Sequence, residues 1–91
     1  MSKHKISLTP RLVRAARALT GWQQQELADA SGVPKPTISA FELKSEDGRM
    51  ISANARLIID AFERAGLEFI PENGGGAGIR FRVKRDAKAG S

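Results

Sequence analysis

The stretch from Leu19 to Glu42 reads LTGWQQQELADASGVPKPTISAFE, and its pattern predicts two short helices joined by a tight turn. Gly32 stands where the first of these helices must end, because glycine adopts a positive φ angle without a Cβ clash. Ile38 and Phe41, three residues apart, give the second helix one apolar face. Two helices joined in this way form a helix-turn-helix motif.

The residues of this stretch resemble the lambda-repressor/Cro-type helix-turn-helix (XRE) family of DNA-binding regulators. The matching positions are Gln24, Glu26-Leu27-Ala28, Gly32, Ile38 and Glu42, and the resemblance covers roughly residues 9–65. The family often pairs an arginine late in its first helix with a glutamate that ends its recognition helix. The resemblance therefore implies a structural ion pair between Arg17 and Glu42.

The composition favours one small domain with basic ends. The 91 residues carry a formal net charge of +5, and basic residues cluster in residues 1–22 and 71–91. Two basic ends around a helix-turn-helix suit a polyanion, although charge alone also fits a merely soluble basic protein. With no cysteine and one histidine, His4, the chain offers no metal site, and no cofactor or catalytic constellation is expected. The absence of a long apolar run predicts no membrane span and a cytoplasmic location.

The flanking helices follow from local signals. We expect a flexible arm over residues 1–8, then a helix capped by Thr9, begun by Pro10 and ended by Gly21. The predicted inner stripe of this first helix is Leu12, Ala15, Ala16 and Leu19. Trp22 is expected in the core rather than as a surface stacking group. Ser52 is predicted to cap a fourth helix that runs to about Ala65, with the inner stripe Ala55, Ile58, Ala61, Phe62 and Ala65.

The resemblance implies two sets of DNA contacts. In the family, the outward positions of the recognition helix, about 35–43 here, meet base edges or neighbouring phosphates. The base contacts implied here are Lys35, Pro36, Thr37, Ser39 and Ala40. The phosphate contacts proposed with them are Gln24, Arg11, Arg14, Lys44 and Arg49. A polar helix start around Gln24 and a solvated loop at residues 43–50 are the competing interpretations.

The region after Gly66 predicts a short β-hairpin. Residues 67–70 and 79–83 favour strands, and the glycine-rich segment between them favours a turn. An isolated hairpin is marginal in water, so its apolar face needs cover. We expect this face to dimerise the protein, through Leu67, Phe69, Ile79, Phe81 and Val83. The alternatives are cover by the protein's own helices and a DNA-contacting wing that presents Arg80 and Arg82.

The sequence thus predicts a mainly α fold: a four-helix domain over residues 9–66, a hairpin over 67–83 and a disordered tail over 84–91. The resemblance implies a non-enzymatic, sequence-specific DNA-binding regulator, a repressor or autoregulator. It would bind double-stranded DNA as a homodimer on a pseudo-palindromic site. Two rival functions remain open, since fold does not fix function. One is an antitoxin with a toxin partner, and the other is a protein- or RNA-interaction module.

Overall fold

The computed structural model describes residues 6–83, which form four helices followed by a two-stranded antiparallel sheet. The predicted tail and the first five residues of the predicted arm lie outside this range. The remainder of the predicted arm, residues 6–8, packs against the domain. Leu8 is buried, and Ile6 packs against the core. The described domain therefore begins before residue 9.

The first helix, α1 (Pro10–Thr20), begins and ends at the predicted signals. The hydroxyl oxygen of Thr9 accepts a hydrogen bond from the Leu12 N–H at 3.1 Å, which satisfies one free amide of the first turn. Gly21 adopts a φ of 77° at the other end, and its N–H donates to the Arg17 carbonyl at 2.8 Å. A residue with a side chain would be strained in this left-handed conformation.

The predicted inner face of α1 is right for Ala16 and in part for Leu12, but it is wrong for Ala15 and Leu19. The helix buries Pro10, Val13 and Ala16, whereas Ala15 and Leu19 are exposed and Leu12 is half-buried. Apolar residues lie on several sides of α1, so periodicity alone does not select one stripe. The position of the carboxylate that pairs with Arg17 determines how α1 is rotated about its own axis. The Arg17 guanidinium reaches inward to Glu42, on the side of the helix that buries Val13 and Ala16. Ala15 and Leu19 then lie toward the surface, and Leu12 lies at the margin of the core.

The motif itself comprises α2 (Gln24–Ser31) and α3 (Lys35–Glu42), joined by a turn at Gly32. Gly32 has a φ of 81°, and its N–H donates to the Ala28 carbonyl at 2.8 Å. The following Val33 is buried, and its N–H donates to the Ser31 hydroxyl at 3.0 Å. At the start of α2 the Glu26 carboxylate accepts from the Gln23 N–H at 2.7 Å, so glutamate supports a residue that caps poorly.

The last helix, α4 (Ser52–Arg64), buries Ile58, Ala61 and Phe62. Ala55 is half-buried, but Ala65 lies beyond the helix and is exposed, so the predicted stripe is too long at this end. The expected cap is also shifted. Ile51 occupies the N-cap position with no side-chain hydrogen bond, and Ser52 is the first helical residue.

The two strands, β1 (Leu67–Ile70) and β2 (Gly78–Phe81), pair with Leu67 opposite Phe81 and Phe69 opposite Ile79. Leu67 and Phe69 are both buried against the helices. The expectation that they dimerise the protein therefore needs correction, because their side chains already belong to the core of one protomer. The second strand also ends earlier than predicted, at Phe81, and Val83 lies beyond it at 73% exposure.

An aromatic cluster joins the motif to the hairpin. The ring of Phe62, which is completely buried, stacks on Trp22 with a centroid distance of 5.4 Å. It also meets the ring of Phe69 at 6.1 Å in a tilted arrangement. Trp22 is half-buried and packs against the core, as expected. The helices and the hairpin therefore share one hydrophobic core.

Candidate nucleic-acid interface

The outward side of α3 presents the predicted base contacts to solvent. Ile38, Phe41 and Glu42 are buried on the inner side of this helix, which turns the other positions away from the core. The remaining side chains fall into two groups by exposure. Lys35, Pro36 and Ala40 are exposed, and Thr37 and Ser39 are half-buried.

The orientation of α3 is held by an ion pair with α1. The Arg17 Nε lies 2.7 Å from the Glu42 Oε2, and the Arg17 Nη2 donates to the Glu42 Oε1 at 2.8 Å. This is a two-point contact between a planar guanidinium and a carboxylate, which fixes direction as well as distance. The Arg17 Nη1 also donates to the Trp22 carbonyl at 3.1 Å. The implied pair thus ties α1, the segment before α2 and the end of α3 together.

Opposing effects act on the pKa of Glu42. Burial raises the pKa of this carboxyl group, but hydrogen bonds from Arg17 and Gln24 lower it, as do the charges of Arg17 and Arg14. The net pKa is below the ordinary value. For Arg17, the hydrogen bond to Glu42 raises the pKa further from neutrality. Both groups are therefore charged at neutral pH.

Gln24 takes part in the same network. Its Nε2 donates to the Glu42 Oε1 at 3.0 Å, and its Oε1 accepts a short hydrogen bond from the Ser39 hydroxyl. Both polar atoms of the side chain are thus bonded within the protein. The amide nitrogen carries two N–H groups, so a phosphate contact would use the second of them and leave both bonds in place. The structure gives Gln24 a further role as a positioning residue between α2 and α3.

Arg14 also contacts the end of α3. Its Nη1 donates to the main-chain carbonyl of Glu42 at 2.6 Å, so it satisfies one of the free carbonyls of that helix end. The residue is otherwise exposed. The sequence identified it only as a phosphate contact and missed this bond. A substitution of Arg14 therefore changes the support of α3 together with surface charge.

The loop after α3 is organised by its own contacts. The Lys44 Nζ donates to the Arg49 carbonyl at 2.9 Å. The Ser45 hydroxyl donates to Asp47, and this bond lowers the pKa of the Asp47 carboxyl group. Glu46 lies 3.5 Å from the Arg11 Nε in an exposed ion pair, which is worth little in water. The loop carries two acidic and two basic residues, so both interpretations of it remain predictions.

A shallow groove of about 430 Å³ brings part of each predicted contact set together. Pro36, Thr37 and Ala40 line it from α3, and Lys44 and Arg49 line it from the loop. The start of α4 forms the opposite wall, and its first turn contains no acidic residue. Because helix starts carry a partial positive charge, this edge favours an anion beside the outward face of α3.

The arginines of the hairpin are engaged within the protomer. The Arg80 Nε lies 3.3 Å from the Glu68 Oε1. The Arg82 Nη1 donates to the Glu63 carbonyl at 2.9 Å and to the Leu67 carbonyl at 3.3 Å. A wing that contacts DNA would have to release these bonds or use the remaining donors.

The sequence interpretation missed one exposed residue beside α3. Leu43 follows the last helical residue, and 87% of it is accessible to solvent. The spacing of Leu43 from two residues of the helix could have indicated this position. Leu43 follows Ala40 by three residues and Pro36 by seven, which places an apolar group on the outward side of the helix.

Two further observations concern other classes of site. Within residues 6–83, the structure contains no cluster of three or more histidine, cysteine, aspartate or glutamate side chains that could hold a metal ion. The helices in that part of the chain are also too short or too polar to cross a membrane.

A helix presented outward, held by a neighbouring helix across a glycine turn and edged with basic groups, is the arrangement of a helix-turn-helix domain. Residues 13–47 match the family model described as helix-turn-helix, which confirms the lambda-repressor-like (XRE) resemblance. No curated protein matches the chain significantly. The family match and the fold together support a DNA-binding helix-turn-helix regulator.

Proposed function

We propose that the protein is a sequence-specific transcriptional regulator that represses transcription, including that of its own gene. The observation that carries this proposal is the fixed outward face of α3. Lys35, Thr37 and Ser39 are accessible there, while Glu42 at the end of the same helix is bonded to Arg17, Gln24 and Arg14. A helix fixed in this way can enter the major groove without first having to find its orientation. This role would place the protein with the DNA, in the cytoplasm.

The proposed contacts divide into base and phosphate sets. Lys35 can donate to guanine O6 or N7, and the Ser39 oxygen can accept from an amino group because its own hydrogen is bonded to Gln24. Arg11, Lys44 and Arg49 would hold phosphates at the edges of the groove, where position matters more than sequence. Bound in this way over a promoter, the domain would exclude polymerase. Selection of binding sites from a random duplex DNA pool tests the proposal directly.

Lys35→Ala is expected to weaken binding to the selected site by about 1–3 kcal/mol and to relax preference at one base pair. Arg49→Ala should instead weaken binding to specific and scrambled duplexes alike. It should also reduce the dependence of log affinity on log salt by about 0.9, the value for one lost phosphate contact. Fluorescence anisotropy titrations at several salt concentrations measure both effects. Equal losses on both duplexes for Lys35→Ala would remove this residue from base readout.

We also propose a homodimer, now with a revised surface. Leu67 and Phe69 are inside the protomer, so the proposed surface keeps Val83 and the half-buried Ile79 and Phe81 and adds the neighbouring α1. The side of α1 that carries Leu12, Ala15 and Leu19 is partly exposed and apolar. A strand at the edge of a two-stranded sheet, beside an apolar helix, favours association with a second copy about a two-fold axis. Two recognition helices about 34 Å apart would then meet one face of a pseudo-palindromic site.

Val83→Asp is expected to raise the dimer dissociation constant by roughly tenfold or more, because a charge would have to lose its water in the interface. The fold should be unaffected, since Val83 is 73% exposed in the protomer. Sedimentation equilibrium measures the change, and Leu57→Asp, at an exposed leucine of α4, is the matched control. An unchanged dimer in the first variant would exclude Val83 from the interface.

A further inference from the structure

The outward face of α3 carries an apolar stripe that the core of the protein does not use. We propose that this apolar stripe, formed by Pro36, Ala40 and Leu43, reads the methyl groups of thymines in the major groove. The inference rests on the proposed DNA-binding function and adds the chemical class of site. The preferred duplex would present thymine methyl groups along one wall of the groove.

The spacing and exposure of the three residues support a continuous stripe. Positions 36, 40 and 43 follow one another by four and three residues, so their side chains lie above one another on one side of a helix. Leu43 keeps this direction although it caps the helix. Its φ and ψ angles are −88° and −8°, and its N–H still donates to the Ala40 carbonyl at 3.3 Å.

The surroundings of the stripe favour DNA over a protein partner. By helical position, Lys35 and Ser39 lie along one side of the apolar stripe and Thr37 lies along the other. Lys44, which follows the helix, lines the groove on the side of Thr37. Glu42 is the only acidic residue of α3, and it is buried and paired with Arg17. An apolar centre between cationic edges complements a groove whose floor carries methyl groups and whose walls are phosphates.

The chemistry of the three side chains limits what they can recognise. None has a side-chain hydrogen-bond donor or acceptor, so they cannot read the donor and acceptor pattern of a base pair. The C5-methyl of thymine is the apolar group that a base offers in the major groove. Burial of this methyl against Leu43 or Ala40 is favourable without any hydrogen bond. Each such contact is expected to raise affinity about fourfold.

Two parallel selections with the full-length protein test this inference. One uses a random duplex DNA pool, and the other uses the same pool with every thymidine replaced by 2′-deoxyuridine, which lacks only the methyl group. We expect the thymine pool to yield a thymine-containing consensus and the uracil pool to enrich weakly. Single thymine-to-uracil changes in the selected site should each reduce affinity about fourfold at the positions that face the stripe.

A substitution then assigns one of these positions to Leu43. In Leu43→Asn, the uracil penalty should disappear at one position and persist at the others. Leu57→Asn, at an exposed leucine of α4, should keep every penalty. Because Leu43 is exposed, its substitution should not disturb folding, which far-ultraviolet circular dichroism checks. Leu43→Ala provides a second variant with an intermediate penalty.

The possible outcomes separate the inference from the function on which it rests. Specific binding that is equally tight with thymine and with uracil would overturn methyl readout while leaving the regulator intact. A uracil penalty that Leu43→Asn leaves unchanged at every position would remove Leu43 from the stripe. If neither pool yields a bound sequence, the proposed function fails, and the inference fails with it.

Discussion

Glu42→Ala is expected to lower the free energy of unfolding by about 3–5 kcal/mol, the usual effect of breaking a buried ion pair. The value should lie toward the lower end. The Glu42 side chain is 5% exposed, but that of Arg17 is 21% exposed and can recover some water. The variant also removes the carboxylate oxygen that accepts a hydrogen bond from the Gln24 Nε2. In a domain of this size the melting temperature should fall by roughly 10–20 °C, which thermal unfolding followed by circular dichroism measures.

The pH dependence of this loss follows from the lowered pKa of Glu42. A carboxyl group whose pKa is lower in the folded state binds fewer protons there than when unfolded, so it stabilises the fold above the unfolded-state pKa. The ordinary value is 4.5, and the contribution is lost as the pH falls from there through the lower folded-state pKa. The difference in stability between the native protein and Glu42→Ala should therefore be full at pH 7 and should narrow below about pH 4.5.

A double variant separates the effect of the two charges from the effect of the volume that the two side chains fill. Replacement of both Arg17 and Glu42 by methionine removes both charges and leaves side chains of similar length. Because no charge is then left buried, this double variant should recover most of the stability lost in Glu42→Ala. If Glu42→Ala unfolds at the same temperature as the native protein, the ion pair does not hold α3.

Removal of all residues after Gly66 is expected to unfold the helices as well as to delete the hairpin. Truncation takes Leu67 and Phe69 out of the core, and Phe69 is a ring neighbour of Phe62. Loss of one buried leucine or phenylalanine side chain costs about 2–5 kcal/mol, and two together approach the whole stability of a small domain. The truncated chain should show weak helical circular dichroism and no cooperative thermal transition.

Two point substitutions distinguish the buried side of the hairpin, which contributes to the core, from its exposed side. Phe69→Ala should lower stability by about 3–5 kcal/mol, whereas Arg80→Ala, on the exposed side of the paired strand, should have an effect within about 0.5 kcal/mol. A truncated chain that kept native helicity and a sharp transition would show that the helices fold alone. Truncation cannot serve as a test of dimerisation, because it removes the core together with the strand edge.

Local chemical signals were sufficient to predict the order of the elements. The helix start and stop signals act through backbone geometry within a few residues, so their effects can be predicted without knowledge of the fold. These signals are Thr9, Pro10, Gly21 and Gly32. The hairpin was predictable for the same reason, since glycines and alternating apolar residues are local features. The pairing of Arg17 with Glu42 came from the family resemblance, because 25 residues separate the two in sequence.

Features that depend on distant partners could not be predicted. The rotation of α1 depends on the direction in which Arg17 finds its carboxylate, and the apolar residues of that helix allow more than one choice. The positioning role of Gln24 was not visible in the sequence, because its bonds to Ser39 and Glu42 exist only when α2 and α3 are packed. The burial of Leu67 likewise requires the helices to be in place, and the sequence offered it only as an alternative to dimerisation.

The two prolines at the start of α3 have a consequence for the thermodynamics of binding. Pro34 caps the helix, its carbonyl accepts from the N–H groups of Thr37 and Ile38, and Pro36 occupies the first turn. Each pyrrolidine ring fixes one backbone φ angle, so the unbound segment has fewer conformations to lose. Less entropy is then lost when the segment meets a rigid surface, and more of the contact energy remains as affinity. The loss of one backbone donor at Pro36 is thus offset by a helix start that is already ordered before it meets its partner.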